Sequence, residues 1–313
     1  MSMEKVSEKD RFLCKASVRR TLFEMRRHKT HYLFMVPYLL IFFTFVVLPV
    51  LIAMFFSLTY YNILEPPKLI WFENYRRLFI EDSVFLIAIK NTIMFAVITG
   101  PVSYFMCLFL AWLVSDLSPL SRTFLTLLFY APSLCNIYYI WQLIFSSDSY
   151  GFLNAWLVRL GILAEPKQWL IDESTMVPVI ILIVLWGSLG TGFLSFVAGF
   201  KNVDRTLYEA AAIDGIKNRW QELWFVTLPY MRPQLLFGAV MQITNSFGIG
   251  TVITALAGFP TTNYAAHTIM NHLEDYGSIR FEMGYACAVA TILFAIMVAS
   301  NKLVQKLIGK VGK

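Results

Sequence analysis

Charge is what this sequence has least of: Asp, Glu, Lys and Arg make up 15% of its 313 residues, against about 25% in soluble globular chains. Hydrophobic residues reach 58% and aromatics 16%, which excludes an ordinary soluble globule and indicates a polytopic membrane chain. Cysteine is scarce as well. Cys14, Cys107, Cys135 and Cys287 are scattered and form no C-x-x-C pair, so neither a disulfide framework nor a zinc site is expected. His28 with His31, and His267 with His272, give only a weak ligand spacing, and no metal is assigned. No G-x-x-x-x-G-K-S/T phosphate loop occurs; Gly309-Lys310 lacks the upstream glycine and the hydroxyl residue. With no paired carboxylates inside an apolar run and no Ser-His-Asp set, no catalytic residue is assigned. Before the first apolar stretch there is no short apolar core with a small-residue cleavage site, so a cleaved signal peptide is not expected.

What is present is apolar sequence in six stretches, at about 33–59, 85–114, 122–145, 176–199, 231–254 and 283–304, each long enough for about 20 residues of membrane-crossing helix. They predict one all-α helical domain over 33–304, preceded by a basic segment 1–32 and followed by a short basic tail 305–313. Glycines and prolines interrupt several stretches, among them Pro132, Gly187, Gly190, Gly248 and Gly250. Such breaks fit a bundle enclosing a pathway, where neighbouring groups satisfy the freed backbone. With the N-terminus inside, nineteen of the 26 Lys and Arg fall on the inner side and six on the outer, a positive-inside bias that places both termini in the cytosol. Segment 1–32 reads either as an interfacial helix on anionic lipid or as a disordered basic tail. The net charge of +6 then requires no nucleic acid.

The polar stretch Thr206–Pro229 falls on the same inner side. Thr206-Leu207-Tyr208-Glu209 has capping-box spacing, Ala210, Ala211 and Ala212 favour a helix that can be approached closely, and Gly215 is expected to stop it in the left-handed region. A second helical run is expected over 217–226. Two readings of Glu209 are open at this point: it caps its own helix, or it projects toward a partner.

Glu209-Ala210-Ala211-Ala212-Ile213-Asp214-Gly215, followed by Leu228-Pro229, resembles the EAA loop of bacterial ABC importer permeases. Phe72-Glu73-Asn74-Tyr75, Asn91-Thr92, Tyr150-Gly151-Phe152-Leu153-Asn154, Trp169-Leu170, Trp186 and Gly284-Tyr285-Ala286 are similar to the carbohydrate-uptake, maltose-type branch, so the likeness runs from about 33 to 304. It departs at Ala257-Gly258-Phe259-Pro260, where that branch has a Thr-Gly-Gly-Gly-Pro-like turn. The resemblance implies a six-span type I importer transmembrane domain in the bacterial cytoplasmic membrane. It implies a second related permease, two cytosolic ATPases and an external substrate-binding protein as partners, with ATP and Mg used by the ATPase and no cofactor bound by this chain. The loop at 200–230 would couple to the ATPase through Glu209, Ala210, Ala211, Asp214, Gly215, Leu228 and Pro229, with Glu209 as the polar contact.

For the path itself the candidates are neutral amides, hydroxyls and aromatics: Gln242, Thr244, Asn245 and Ser246 in the fifth stretch, and Asn136, Tyr138 and Tyr139 in the third. They suit an uncharged polyhydroxylated cargo, though helix packing is an equally open use for such residues. The alternatives are the same architecture carrying glycerol phosphate, a polyamine or another small solute and, from a different class, a membrane enzyme or sensor.

Overall fold

The computed structural model describes residues 29–134 and 138–308. Asn136, Cys135, and the basic segment through residue 28 lie outside the described residues, as do Lys310 and Lys313. The chain divides into a unit ending at Phe55 and one beginning at Phe56. The first carries α1 (Lys29–Phe42), a five-residue widened turn Phe43–Val47, and most of α2 (Leu48–Phe56). Pro37 sits inside α1. Leu33–Phe56 forms 24 residues of helix, long and apolar enough to cross a bilayer.

The second unit opens with a small antiparallel pair, β1 (Thr59–Tyr60) and β2 (Lys68–Leu69), in register Thr59 to Leu69. A short helix α3 (Glu73–Arg76) follows. Asn74 is buried and donates to the Ser57 and Thr59 carbonyls, each at 2.9 Å, so it ties α3 under the hairpin. Next comes α4 (Ser83–Ser115), 33 residues, whose first turn is capped by Asp82 accepting from the Phe85 N–H at 2.9 Å. Two broken helices follow: α5 (Pro119–Leu134) with α6 (Tyr138–Ile144), and, after α7 (Phe152–Arg159), α8 (Glu173–Gly187) with α9 (Thr191–Asn202), bent by 42°. A polar segment holds α10 (Arg205–Ile213), α11 (Arg219–Glu222) and α12 (Leu228–Tyr230). The last spans are α13 (Arg232–Phe247) with α14 (Gly250–Ala257), bent by 42°, and α16 (Met283–Ile308), with the six-residue α15 (Ile269–Glu274) between them.

Among the described residues three helices are long and apolar enough to cross a membrane singly, and up to six crossings result if each bent pair is one span. The breaks fall at Gly187–Gly190 and Gly248–Gly250, where the sequence places its interrupting glycines. α4 is the axis of the second unit: it packs on α9, α13 and α8, while α16 packs on α13 and α15. Phe193, Phe196 and Met231 fill one buried cluster, Phe95, Met176 and Ile253 a second, and Phe85, Ile269 and Val289 a third.

The core is not wholly apolar. Gln242 of α13 is buried and accepts from the Ser103 hydroxyl at 3.1 Å, and its amide donates to the Ser188 carbonyl at 3.2 Å and to the Cys107 Sγ at 3.1 Å. Ser188 lies where α8 breaks into α9, so its carbonyl has lost part of the helical ladder. One amide thus gives that carbonyl a second donor beside the Gly190 N–H at 2.8 Å and joins three spans at the break.

Candidate functional site

Two places in the second unit bring the sequence candidates together: the polar segment 203–230 and a cavity among the broken helices.

In the polar segment the helix starts earlier than the Thr206-x-x-Glu209 spacing predicts. The Asp204 carboxylate accepts from the Thr206 N–H at 3.0 Å and is the cap of α10. Asp caps as well as Thr, and standing two positions upstream it takes the role, so Thr206 becomes an interior first-turn residue. The capping-box expectation is therefore corrected. Glu209 lies in mid-helix, exposed, with no hydrogen-bond or ion-pair partner among the described residues.

At the other end Gly215 stands at φ +92°, the Ile216 N–H reaches the Ala211 carbonyl at 3.0 Å and the Gly215 N–H the Ala212 carbonyl at 3.3 Å. These two bonds make the left-handed helix stop expected of that glycine. A Cβ there would meet no neighbour within 4 Å, so backbone conformation alone asks for glycine.

α10 has two faces. Ala211 is buried, and the Tyr208 hydroxyl lies 2.9 Å from the Thr227 hydroxyl, in a seat formed with buried Leu223 and Leu228. Glu209, Ala210, Ala212, Ile213 and Asp214 face outward, with Ile213 87% exposed. Of the expected coupling residues, Glu209, Ala210, Asp214 and Gly215 are presented, while Ala211 and Leu228 hold the helix from beneath and Pro229 sits in the first turn of α12. Beyond the seat, the Arg219 guanidinium meets the Asp116 carboxylate in a two-pronged pair, and Trp220 lies 4.6 Å from Trp112, ring centre to centre. This links the segment to the end of α4, and sequence spacing gave no sign of it.

The cavity has a volume of about 430 Å³. Its walls are Thr99 and Ser103 of α4, Ser133 and Tyr138 at the α5–α6 break, Trp141 of α6, Trp186 and Ser188 near the α8 break, Gln242, Thr244, Asn245 and Ser246 of α13, and Thr251 of α14. The four α13 candidates and Tyr138 of the third stretch therefore meet in one space. Tyr138 reaches it; Tyr139, 69% exposed, does not line it. Gln142, the neighbour in the third stretch, donates to the Ala255 carbonyl and is used in packing.

Within the α13 cluster the roles divide. Gln242 is spent on the internal network, and the Thr244 and Ser246 hydroxyls donate to the carbonyls four residues back, at 2.9 and 2.8 Å, a local bond common in helices. Asn245 is exposed and its amide makes no hydrogen bond among the described residues. The Trp141 indole N–H is buried without a partner there too. None of the lining residues is charged. The aromatic wall and the lack of charge were legible as a pattern, whereas the role of Ser133 and Thr251 was missed because both stand alone among apolar neighbours.

Comparison with known proteins agrees with this geometry. Residues 103–310 match the family described as binding-protein-dependent transport system inner membrane component. The chain is 30% identical over 291 residues to the probable ABC transporter permease protein YurN of Bacillus subtilis (strain 168), covering 90% of this chain and 96% of the relative. It is 31% identical over 232 residues to the lactose transport system permease protein LacF of Rhizobium radiobacter, covering 72% and 76%. In three dimensions it is similar to the crystal structure of a bacterial alginate ABC transporter in complex with alginate pentasaccharide-bound periplasmic protein, with a TM-score of 0.74 at 21% identity over 94% of this chain and 99% of that one.

Proposed function

The chain belongs to the family of inner membrane components of binding-protein-dependent transport systems, and from that membership we propose that it forms the path for an uncharged oligosaccharide. It is a non-catalytic permease subunit of an ABC importer, with the all-α, six-span transmembrane domain of the type I class. The observation that carries the cargo reading is the cavity wall. It offers Tyr138, Trp141 and Trp186 as flat apolar faces, the Asn245 amide and the Trp141 N–H as free hydrogen-bonding groups, and no charge. Sugars present hydroxyls at their edges and C–H groups on their faces, and such a wall answers both. A phosphorylated or polycationic cargo would leave its charge unpaired in a poorly solvated space, at a cost of several kcal/mol.

In this reading a second related permease closes the other side of the path, and an external binding protein delivers the cargo. Two cytosolic ATPases, which bind ATP and Mg, grip the exposed face of α10. The excess of Lys and Arg on that side of the spans supports a cytosolic position for the 203–230 segment and both termini. Glu209 and Ile213 are then the side chains an ATPase cleft receives, with Ala210 and Ala212 allowing close approach, and closure of the ATPases moves α10 as a rigid body. The Tyr208–Thr227 contact and the Arg219–Asp116 pair carry that movement to α13 and α4. Uptake of labelled neutral oligosaccharides, glycerol phosphate and a polyamine by the reconstituted complex tests the cargo reading. Uptake confined to neutral saccharides is expected; saturable uptake of the charged solutes in their place overturns it.

A further inference from the structure

Between α14 and α16 the chain folds back into a short segment that is polar and yet buried. Ala266, His267, Thr268, Ile269, Asn271 and His272 are all 2% exposed or less. On one side the segment is stitched to α4. The Asn91 amide donates to the Tyr264 and His267 carbonyls at 3.1 and 3.0 Å, the Thr92 hydroxyl accepts from the Ile269 N–H at 2.9 Å, and His272 Nε2 lies 3.2 Å from the Asp82 carboxylate. On the other side it is stitched to α14, where the Asn271 amide N–H₂ donates to the Gly250 carbonyl at 2.9 Å and to the Thr254 hydroxyl at 2.8 Å. The approach is close: a Cβ on Gly250 would lie 2.7 Å from the Met270 Cβ. The Asn271 side-chain oxygen meanwhile accepts from the Thr268 N–H at 3.1 Å and from its hydroxyl at 2.6 Å, capping α15.

α4 and α14 are both walls of the cavity, through Thr99 and Ser103 on one and Thr251 and Val252 on the other. α14 follows the break at Gly248 and is bent by 42° from α13, so its direction is set by what it leans on and not by continuation of a helix. We infer that Asn271 is a positioning residue, through which segment 261–274 acts as a wedge that ties α14 to α4 and holds the outer end of the path closed until a binding protein docks. This rests on the permease reading and adds to it the residue that sets the resting state of the outer end.

The two halves of the Asn271 amide allow a clean test. Asn271→Asp keeps the oxygen that caps α15 and loses both donors to α14, while Thr254→Val keeps shape and loses one acceptor. Each variant is assembled with its ATPase partner in liposomes, and ATP hydrolysis is measured with and without the binding protein, beside uptake per ATP. Binding-prot-stimulated hydrolysis with uptake in the wild-type complex establishes the permease reading independently. The wedge predicts that Asn271→Asp raises hydrolysis without binding protein by about tenfold, the shift that two lost hydrogen bonds produce, with a matching fall in uptake per ATP. Thr254→Val is expected to give about a third of that rise. Wild-type basal hydrolysis and coupling in an assembled Asn271→Asp complex overturn the inference, since a residue that only caps its own helix is left intact by this change. If that variant does not assemble, unchanged basal hydrolysis in Thr254→Val overturns it instead.

Discussion

Segments 203–230 and 261–274 are both polar interruptions among the spans, and they use their polarity in opposite ways. The first satisfies its backbone locally, through Asp204 at one end and Gly215 at the other, which leaves Glu209 and its neighbours exposed and uncommitted. The second sends several of its polar groups across to neighbouring helices: to Asn91 and Thr92 on α4 and Asp82 at its cap, and to Gly250 and Thr254 on α14. A segment whose bonds are local can present a face to another chain, and one whose bonds are long-range is fixed within its own.

Substitution should separate the two. Glu209→Lys is expected to leave the protein in the membrane with an unchanged melting temperature, and Gly215→Arg to leave it there with a slightly lower one because an L side chain is strained at φ +92°, while uptake falls by about 100-fold in both, because a reversed or bulky charge now meets the ATPase groove. Normal transport in either variant would break the contrast. Asp82→Ala is expected to do the reverse. The Asp82 carboxylate accepts from the Tyr285 hydroxyl at 2.7 Å, the Tyr276 hydroxyl at 3.3 Å and the Phe85 N–H, and it lies against His272. Removing it strands these buried partners and should cost about 3 kcal/mol of stability, read as a lower melting temperature of the purified permease; an unchanged melting temperature contradicts this.

The smallest expected effect is one of pH. Burial first, and the adjacent His272 second, lower the His267 pKa to about 4. A histidine with its folded value below its unfolded 6.5 contributes stability that is complete above pH 6.5 and is lost as the pH falls from there toward 4. At Asp82 burial pushes upward, but hydrogen bonds from His272, Tyr285 and the Phe85 backbone outweigh it and hold the carboxyl well below the usual range, so it stays ionised throughout that window. Melting temperatures taken from pH 7 to 4 should therefore decline, and His267→Asn should flatten the decline; an equal slope in both proteins contradicts the assignment.

These contrasts also explain what could be read in advance. The spans follow from hydropathy and their breaks from glycine, because both signals are local. The exposed helix was legible for the same reason, apart from its start, where Thr206 and Glu209 satisfy a spacing rule that an equally good cap at Asp204 pre-empts. The pair His267 and His272 stood out only as a weak metal spacing, whereas its neighbours are a carboxylate 190 residues upstream and the aromatic rings of Phe85 and Tyr276. No local pattern announces that Asn91 will meet the His267 carbonyl or that Asn271 will meet Gly250. Likewise the sequence marks Gln242 as a polar residue in a span, but only the position of the Ser188 carbonyl shows that its amide is taken up by a helix break.

The central claim, that α10 presents one face to an ATPase and rests its other on the permease, is tested most directly by a photo-crosslinking amino acid placed in turn at Ile213 and at Ala211 in the transport-competent complex. An adduct with the ATPase subunit is expected from position 213 and only intrachain adducts from position 211. Absence of any ATPase adduct from position 213, in a complex that still takes up its cargo, would contradict it.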